Sequence, residues 1–259
     1  MTPNQRLPHH SGRESLADSF GQFFEPVLAQ SDEQQRRAFK VRCDVYCHEF
    51  HYEREEDCDC GLEMDEYDQD AVHGLVVHRP SGQVAGCVRV VPRGSEAPPG
   101  ELPLERHCGH TLKHATLRPS LIPNAGICEI SRLAVHGSFR RRSGERVSPI
   151  GDVSVPDIST TERRSFPLVS VALFLVATNV VKLTGKPHVF AMMEPRLARL
   201  LKRSGLVFSP VGAITDFHGR RAAHYIHVDN AIAGLNTDLT ELYGFISDSL
   251  RGAMPPRPS

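Results

Sequence analysis

Residues 165–181 run without a charged side chain, and Leu168, Val171, Leu173, Phe174, Leu175 and Val176 make the stretch almost continuously apolar. Seventeen such residues exceed a buried strand and touch the lower limit for a membrane span. Ser170, Thr178 and Asn179 interrupt the run. A helix over 166–183, enclosed on most sides by a globular α/β core, accounts for the pattern more simply than a bilayer does, so no integral membrane span is expected.

The 259 residues admit one large domain or two small ones. Lys+Arg 30 against Asp+Glu 31 excludes bulk attraction to nucleic acid, and a hydrophobic share of 40% excludes general disorder. No long linker and no repeat divides the chain. Residues 1–15 and 251–259 read as disordered ends, and 16–250 as a single domain. The beginning lacks the apolar core of a signal peptide, which predicts a cytoplasmic protein.

Apolar positions at Phe39, Cys43, Tyr46, Cys47 and Phe50 recur at three and four, predicting a helix over 31–50 with Ser31 as N-cap and Gln34 as its capping-box partner. Phe20, Phe23, Phe24, Val27 and Leu28 suggest a shorter helix upstream. Strands are predicted at 73–78 and 84–91, joined by the turn Arg79-Pro80-Ser81-Gly82, and at 127–135. Residues 92–125 carry little period. A strand at 188–193, a helix opened by Pro195 and closed by Gly205, strands at 207–214 and 221–228, and a helix over 231–250 complete the order. That alternation suits one mixed β-sheet with helices on both faces.

The seven cysteines, Cys43, Cys47, Cys58, Cys60, Cys87, Cys108 and Cys128, are odd in number, and several lie in apolar stretches, so a disulfide scaffold is not expected. Cys43, Cys47, Cys58 and Cys60 can be drawn as a zinc set. Their spacings fit the usual pattern poorly, and Cys43 and Cys47 sit one helical turn apart as packing residues would, so no metal is assigned. As nucleophiles, Cys128 lacks a neighbouring histidine and Cys108 sits between His107 and His110 in an irregular region.

Two places concentrate charge. Glu63-Met64-Asp65-Glu66-Tyr67-Asp68 holds four carboxylates in six positions; a solvated loop explains it, and so does a site for a cationic amine if one helical turn aims Asp65 and Asp68 together. In Cys128-Glu129-Ile130-Ser131-Arg132-Leu133-Ala134-Val135, two charges interrupt a core strand, where an unpaired ion costs several kcal/mol. Glu129 could pair with Arg89 or Arg132 for structure alone, or serve catalysis. An odd spacing puts Glu129 and Arg132 on opposite faces of a regular strand, and a β-bulge between them would bring both to one cleft.

At this point four motifs in order, residues 41–49, 61–68, 86–89 and 129–135, resemble those of the acyltransferase associated with PEP-CTERM/exosortase systems. That family is similar to acyl-homoserine-lactone (autoinducer) synthases, and both use a GNAT-like fold. Residues 199–206 add a resemblance to the helix-to-strand corner late in GNAT domains. The resemblance implies a charged cluster beside the acyl-transfer site at Arg42, Asp65, Asp68, Arg89, Glu129 and Arg132, with Ser131 between the last two. It also implies aromatic side chains after Arg42, a role that Tyr46 and Phe50 or Tyr52 fill, although the chain has no tryptophan.

Arg141-Arg142-Ser143-Gly144-Glu145-Arg146 lacks the second small residue of the turn that cradles coenzyme A pyrophosphate in GNAT enzymes. The basic run Arg140, Arg141, Arg142 and Arg146 suits the acidic surface of acyl carrier protein, or is a solvated loop. The expected donor is therefore acyl-ACP, with acyl-CoA as the other choice, and no cofactor is held permanently. The resulting expectation is an N-acyltransferase acting on a small amine such as an amino acid, with Glu129 as base. Lactone synthesis from S-adenosylmethionine and a non-catalytic acyl-sensing module are the alternatives.

Overall fold

The computed structural model describes residues 15–94, 100–140, 149–150 and 167–252. The chain opens with helix α1 (Leu16–Phe23), capped by Ser15, and passes directly into strand β1 (Phe24–Leu28). The single helix expected over this segment therefore ends after its second phenylalanine. Pro26 does not prevent the strand because β1 is the sheet edge, pairing with β4 alone, where a missing N–H is tolerated.

Helix α2 (Asp32–Arg42) begins as expected: the Ser31 hydroxyl accepts from the Gln34 N–H at 3.2 Å while the Gln34 side chain accepts from the Ser31 N–H at 3.1 Å. Its continuation differs. Residues Cys43–Glu49 form a π-helical turn, with Phe50 N–H reaching back to Val45 O at 3.0 Å. A small hairpin follows, β2 (Cys58–Asp59) and β3 (Leu62–Glu63), then a tight turn over Glu66–Gln69.

Strands β4 (Val72–His78), β5 (Val84–Pro92) and β6 (Ile127–Val135) form an antiparallel meander. Between β5 and β6 lies the region read as irregular, which contains short α3 (Pro103–Cys108). After β6 come α4 (Pro167–Thr184), β7 (His188–Met193), α5 (Pro195–Arg203), β8 (Ser209–Pro210), β9 (Thr215–Asp216), β10 (Arg220–His227), α6 (Val228–Ala233) and α7 (Thr237–Arg251). The strand expected over 207–214 shrinks to two paired residues, Ser209 and Pro210, ahead of Gly212. The last expected helix divides at Gly234, and Asn236 caps the second part by accepting from Leu239 N–H at 2.9 Å.

The sheet order is β1-β4-β5-β6-β7-β10-β8, with β9 on β10, and among the described residues only β6 and β7 run parallel. Helix α4 crosses one face of it. From Val169 to Val181 its residues are nearly all buried, as the uncharged run predicts. Gly74 and Gly86 permit that approach: a Cβ on Gly74 would stand 2.4 Å from Val176 Cγ1, and one on Gly86 would meet Ala134 O at 2.7 Å and Leu173 Cδ1 at 2.8 Å. Among the described residues no helix is long and apolar enough to cross a membrane.

Two departures from regular pairing shape the middle of the sheet. The β6–β7 ladder holds Ile127 to His188, Cys128 to Val189 and Glu129 to Phe190, and there it stops, although both strands continue. On the other side of β6, the register with β5 shifts between the Cys87–Ala134 and Arg89–Ser131 pairs, and Arg132 takes a left-handed φ of 51°. The bulge expected between Glu129 and Arg132 thus falls at Arg132 itself, past the regular pairs of residues 128–131.

Candidate active site

The bulge and the end of the β6–β7 ladder open one side of the sheet into a cavity of about 510 Å³. Tyr46, Asp65, Arg89, Glu129, Ser131 and Arg132 all line it. Residues from an early helix, an acidic loop and two strands thus meet around a single crevice. Arg42 and Asp68 do not line the cavity; they are buried behind the wall. Phe50 is not among the lining residues either, and instead packs against Tyr52 and under the Arg140 guanidinium.

The wall is built from the inside outward. Arg42, fully buried at the end of α2, holds both oxygens of Asp68, Nη1 to Oδ1 at 2.7 Å and Nη2 to Oδ2 at 3.0 Å, while its Nε donates to Glu63. Arg89, equally buried on β5, donates through Nη1 to Asp65 at 2.5 Å and to Asp68 at 2.8 Å, and through Nε to Ser131 Oγ at 3.1 Å. Its Nη2 is a buried donor without a partner. Arg132 reaches Glu63 at 3.0 Å, Glu53 at 3.1 Å and Asp65 at 3.2 Å.

Asp65 and Asp68 are brought together by a capped tight turn, in which Asp65 accepts from Tyr67 N–H and its own N–H donates to Asp68. The pair does not stand open for an amine, as the sequence suggested: arginines occupy both carboxylates. Burial pulls these carboxyls upward and the arginines outweigh it, so Glu63, Asp65 and Asp68 all titrate below the usual carboxylate range. Burial drives His73, beside Asp68, down to about 4, so it is neutral near pH 7.

Glu129 differs from all of these. It forms no ion pair with Arg89 or Arg132 within salt-bridge distance, contrary to the structural reading of the strand; its Oε2 accepts instead from the backbone N–H of Leu104 in α3, at 2.8 Å. It is 3% exposed, and burial lifts its carboxyl to about 7, opposed by that one hydrogen bond and by the more distant arginines. A carboxylate with this environment changes protonation near neutral pH, as a general base must. Tyr46 fixes the neighbouring backbone, its hydroxyl donating to Leu133 O at 2.8 Å.

Behind the charged wall the crevice turns apolar. In the gap where β6 and β7 part lies a smaller cavity lined by Ile130, Leu133, Phe174, Ala191 and Met193, and deeper still one lined by Ile130, Phe174, Val181, Phe208 and Ile226. The three share walls: Ile130 belongs to all of them, and Phe174 to the inner two.

Sequence reasoning missed Glu53 and the Leu104 amide, and did not assign Glu63. Only Glu63, sitting in the acidic run, left a signal. Arg140 is corrected: its side chain is 2% exposed, pairs with Glu49 and lies over Phe50, so it offers no free charge to a carrier surface. Arg141, Arg142 and Arg146 lie outside the described residues. Cys128 and Cys108 are buried thiols with raised pKa values, Cys128 up to about 12, which argues against either as nucleophile. Cys47 is corrected from packing thiol to disulfide partner of Cys58.

The sheet is mixed, its one parallel pair among the described residues separates halfway along above a charged crevice, and residues 41–148 match the acetyltransferase (GNAT) domain model, so the fold is GNAT-like. That span contains every member of the charged cluster. Among solved structures, the chain is similar to TofI in a ternary complex with an inhibitor and MTA, at 16% identity over 83% of this chain and 99% of that one, with a TM-score of 0.55. It is similar also to BjaI, a CoA-dependent acyl-homoserine lactone synthase with SAM and isopentyl-CoA, at 18% identity over 86% and 89%, TM-score 0.55. A third is FeeM, an N-acyl amino acid synthase from uncultured soil microbes, at 13% identity over 82% and 94%, TM-score 0.54. No curated protein sequence matches the chain.

Proposed function

We propose that this protein is an N-acyltransferase that moves a fatty-acyl group from an acyl thioester to the amine of a small molecule such as an amino acid. The observation that carries this reading is Glu129: a buried carboxyl with a pKa of about 7, on the wall of a charged crevice and next to Ile130, where the apolar cavities begin. The acyl chain occupies the slot between β6 and β7, and its thioester carbonyl lies at the start of the gap. Backbone N–H groups of β6 beyond Glu129, no longer laddered to β7, supply donors for the oxyanion.

The amine nitrogen attacks the carbonyl carbon, forming the C–N bond. Glu129 takes the amine proton; the C–S bond then breaks, and the carboxylic acid returns its proton to the departing thiolate. No covalent enzyme intermediate is formed. Asp65, Arg89 and Arg132 act on the acceptor side. The unpaired Nη2 of Arg89 favours an acceptor that itself carries a carboxylate, since a buried donor gains most from an anionic partner. Arg42 and Asp68 are positioning residues that hold Arg89 and Glu63 from behind.

The motif resemblance to exosortase-associated acyltransferases supports acyl amino acid formation. A second reading, lactone synthesis from S-adenosylmethionine, is favoured by similarity to BjaI, whose structure holds SAM. Mass spectrometry of lipids from a heterologous host expressing the chain, followed by purified protein supplied with donors on acyl carrier protein and on coenzyme A, tests both. Acyl amino acids support the proposal and acyl lactones the second reading. A host lipid profile without a new product, together with no thiol release in vitro, leaves a binding module.

A further inference from the structure

The π-helical turn Cys43–Glu49 and the β2–β3 hairpin bring three cysteines together, outside the acyl-transfer crevice. The sulfurs of Cys43, Cys47 and Cys58 all lie within 4.8 Å of one another. Cys47 and Cys58 stand as a disulfide, with Cα atoms 7.2 Å apart, wider than the ~4.4–6.8 Å usual for that bond but well suited to two ligands of one ion. The fourth donor is His48 at the edge of this group: its exposed side chain places Nε2 3.8 Å from Cys43 Sγ, and a small rotation of the imidazole brings it to the other two sulfurs. Tetrahedral zinc with Zn–S of about 2.3 Å and Zn–N of about 2.0 Å places neighbouring ligand atoms about 3.6–3.8 Å apart.

The π winding is what makes this possible. In a turn closed at i+5, residues i, i+4 and i+5 lie over one another, so Cys43, Cys47 and His48 share a face; in an α-helix i+5 points away. On the outer side of the imidazole, Nδ1 stands 3.6 Å from the Asp44 carboxylate, the usual outer support of a metal-bound histidine, and Nε2 faces the Cys43 sulfur. Cys60 is excluded, because its thiol is exposed and turns to Asp59 at 3.3 Å.

We propose that in the reduced chain Cys43, Cys47, Cys58 and His48 bind one zinc ion as a structural site. Two equivalents of a small-molecule thiol reduce the Cys47–Cys58 bond, themselves becoming a disulfide, and the cysteine thiols release their protons on ligating the metal. The site joins the segments that carry the base of the acceptor wall. Cys43 follows Arg42 directly, and Cys58 pairs across the hairpin with Glu63, the carboxylate that Arg42 holds.

The full chain, purified under reducing conditions without chelator, should contain about one zinc per molecule. Anaerobic cobalt exchange should give the intense visible bands of tetrahedral coordination with thiolate charge transfer. Cys43→Ser and Cys58→Ser should abolish stoichiometric metal, Asp44→Asn should weaken binding by about 10–100-fold, and Cys60→Ser should leave it unchanged. Should a cysteine variant fail to fold, alkylation mapping of folded wild type decides: metal must protect Cys43, Cys47 and Cys58 but not Cys60. Reduced wild type without zinc before and after reloading, an octahedral cobalt spectrum, or Cys60 protected in place of the others overturns the assignment. None of these measurements depends on acyl transfer.

Discussion

The backbone amide of Leu104 donates to Glu129 Oε2 at 2.8 Å, and among the described residues this is the one hydrogen bond the buried carboxyl makes. A residue from the irregular excursion before β6 thus orients the proposed base without neutralising it. Arginines hold the other carboxylates of the cluster low; Glu129 is left high by burial.

Rate should follow that carboxyl. As a base Glu129 must be ionised, so acyl transfer should rise with pH and level off above about 7. Glu129→Gln should lower kcat/KM by about 10²–10⁴-fold and remove that limb of the profile. A variant with unchanged thiol release refutes the assignment.

Stability should move the other way with pH. Between the ordinary carboxylate range and about 7 the folded state binds a proton at Glu129 that the unfolded chain does not, so its contribution to stability falls as pH rises. Glu129→Gln should flatten this fall, as urea denaturation at a series of pH values will show.

Asp68 has the opposite sign. Its folded pKa is depressed, so the stability it contributes is full above the unfolded value near 4 and is lost as acid titrates the folded group. Asp68→Asn should be less stable at neutral pH and should show a shallower acid loss than wild type.

Arg42→Ala leaves Glu63 and Asp68 buried beside an empty position, and removal of one partner from such a pair costs about 3–5 kcal/mol. Arg42→Lys should recover part of this and not all, because an ammonium cannot grip Asp68 with two parallel bonds while reaching Glu63. Denaturant midpoints of the two variants measure the difference.

Ala191 lines the apolar gap between β6 and β7. Ala191→Leu should cut kcat/KM for long-chain donors by about 10-fold or more, on the scale of a few methylenes in a hydrophobic pocket, while short-chain donors keep their rate. Equal losses for both would place the chain elsewhere.

Much of this architecture was written locally. The Ser31–Gln34 cap, the hairpin with its Pro-Ser-Gly turn, the uncharged core helix and the strand carrying Glu129 are all short-range patterns, and each recurs in the fold. Phe24–Leu28 deceived because Phe24, Val27 and Leu28 continue the helical period of Phe20 and Phe23 while the pairing with β4 depends on residues about fifty positions away. Of the candidate residues read from the sequence, Tyr46, Asp65, Arg89, Glu129, Ser131 and Arg132 come together on the crevice wall while Phe50 and Arg140 do not, and the sequence says less of how they pair. An arginine's choice among Glu53, Glu63, Asp65 and Asp68 is decided by tertiary placement, and a backbone amide such as that of Leu104 has no letter in the sequence at all.

The short parallel ladder between β6 and β7 divides the crevice by origin. Residues 46–132 supply most of the polar half and residues 174–231 most of the greasy half, while Tyr46, Ile130, Ser131, Arg132, Met192 and Arg221 border both of the outer cavities. On the proposed function, substitutions at Phe174, Ala191, Phe208 or Ile226, which line the apolar cavities and not the charged one, retune chain length without touching the acceptor wall, so one scaffold can diversify its two substrates separately.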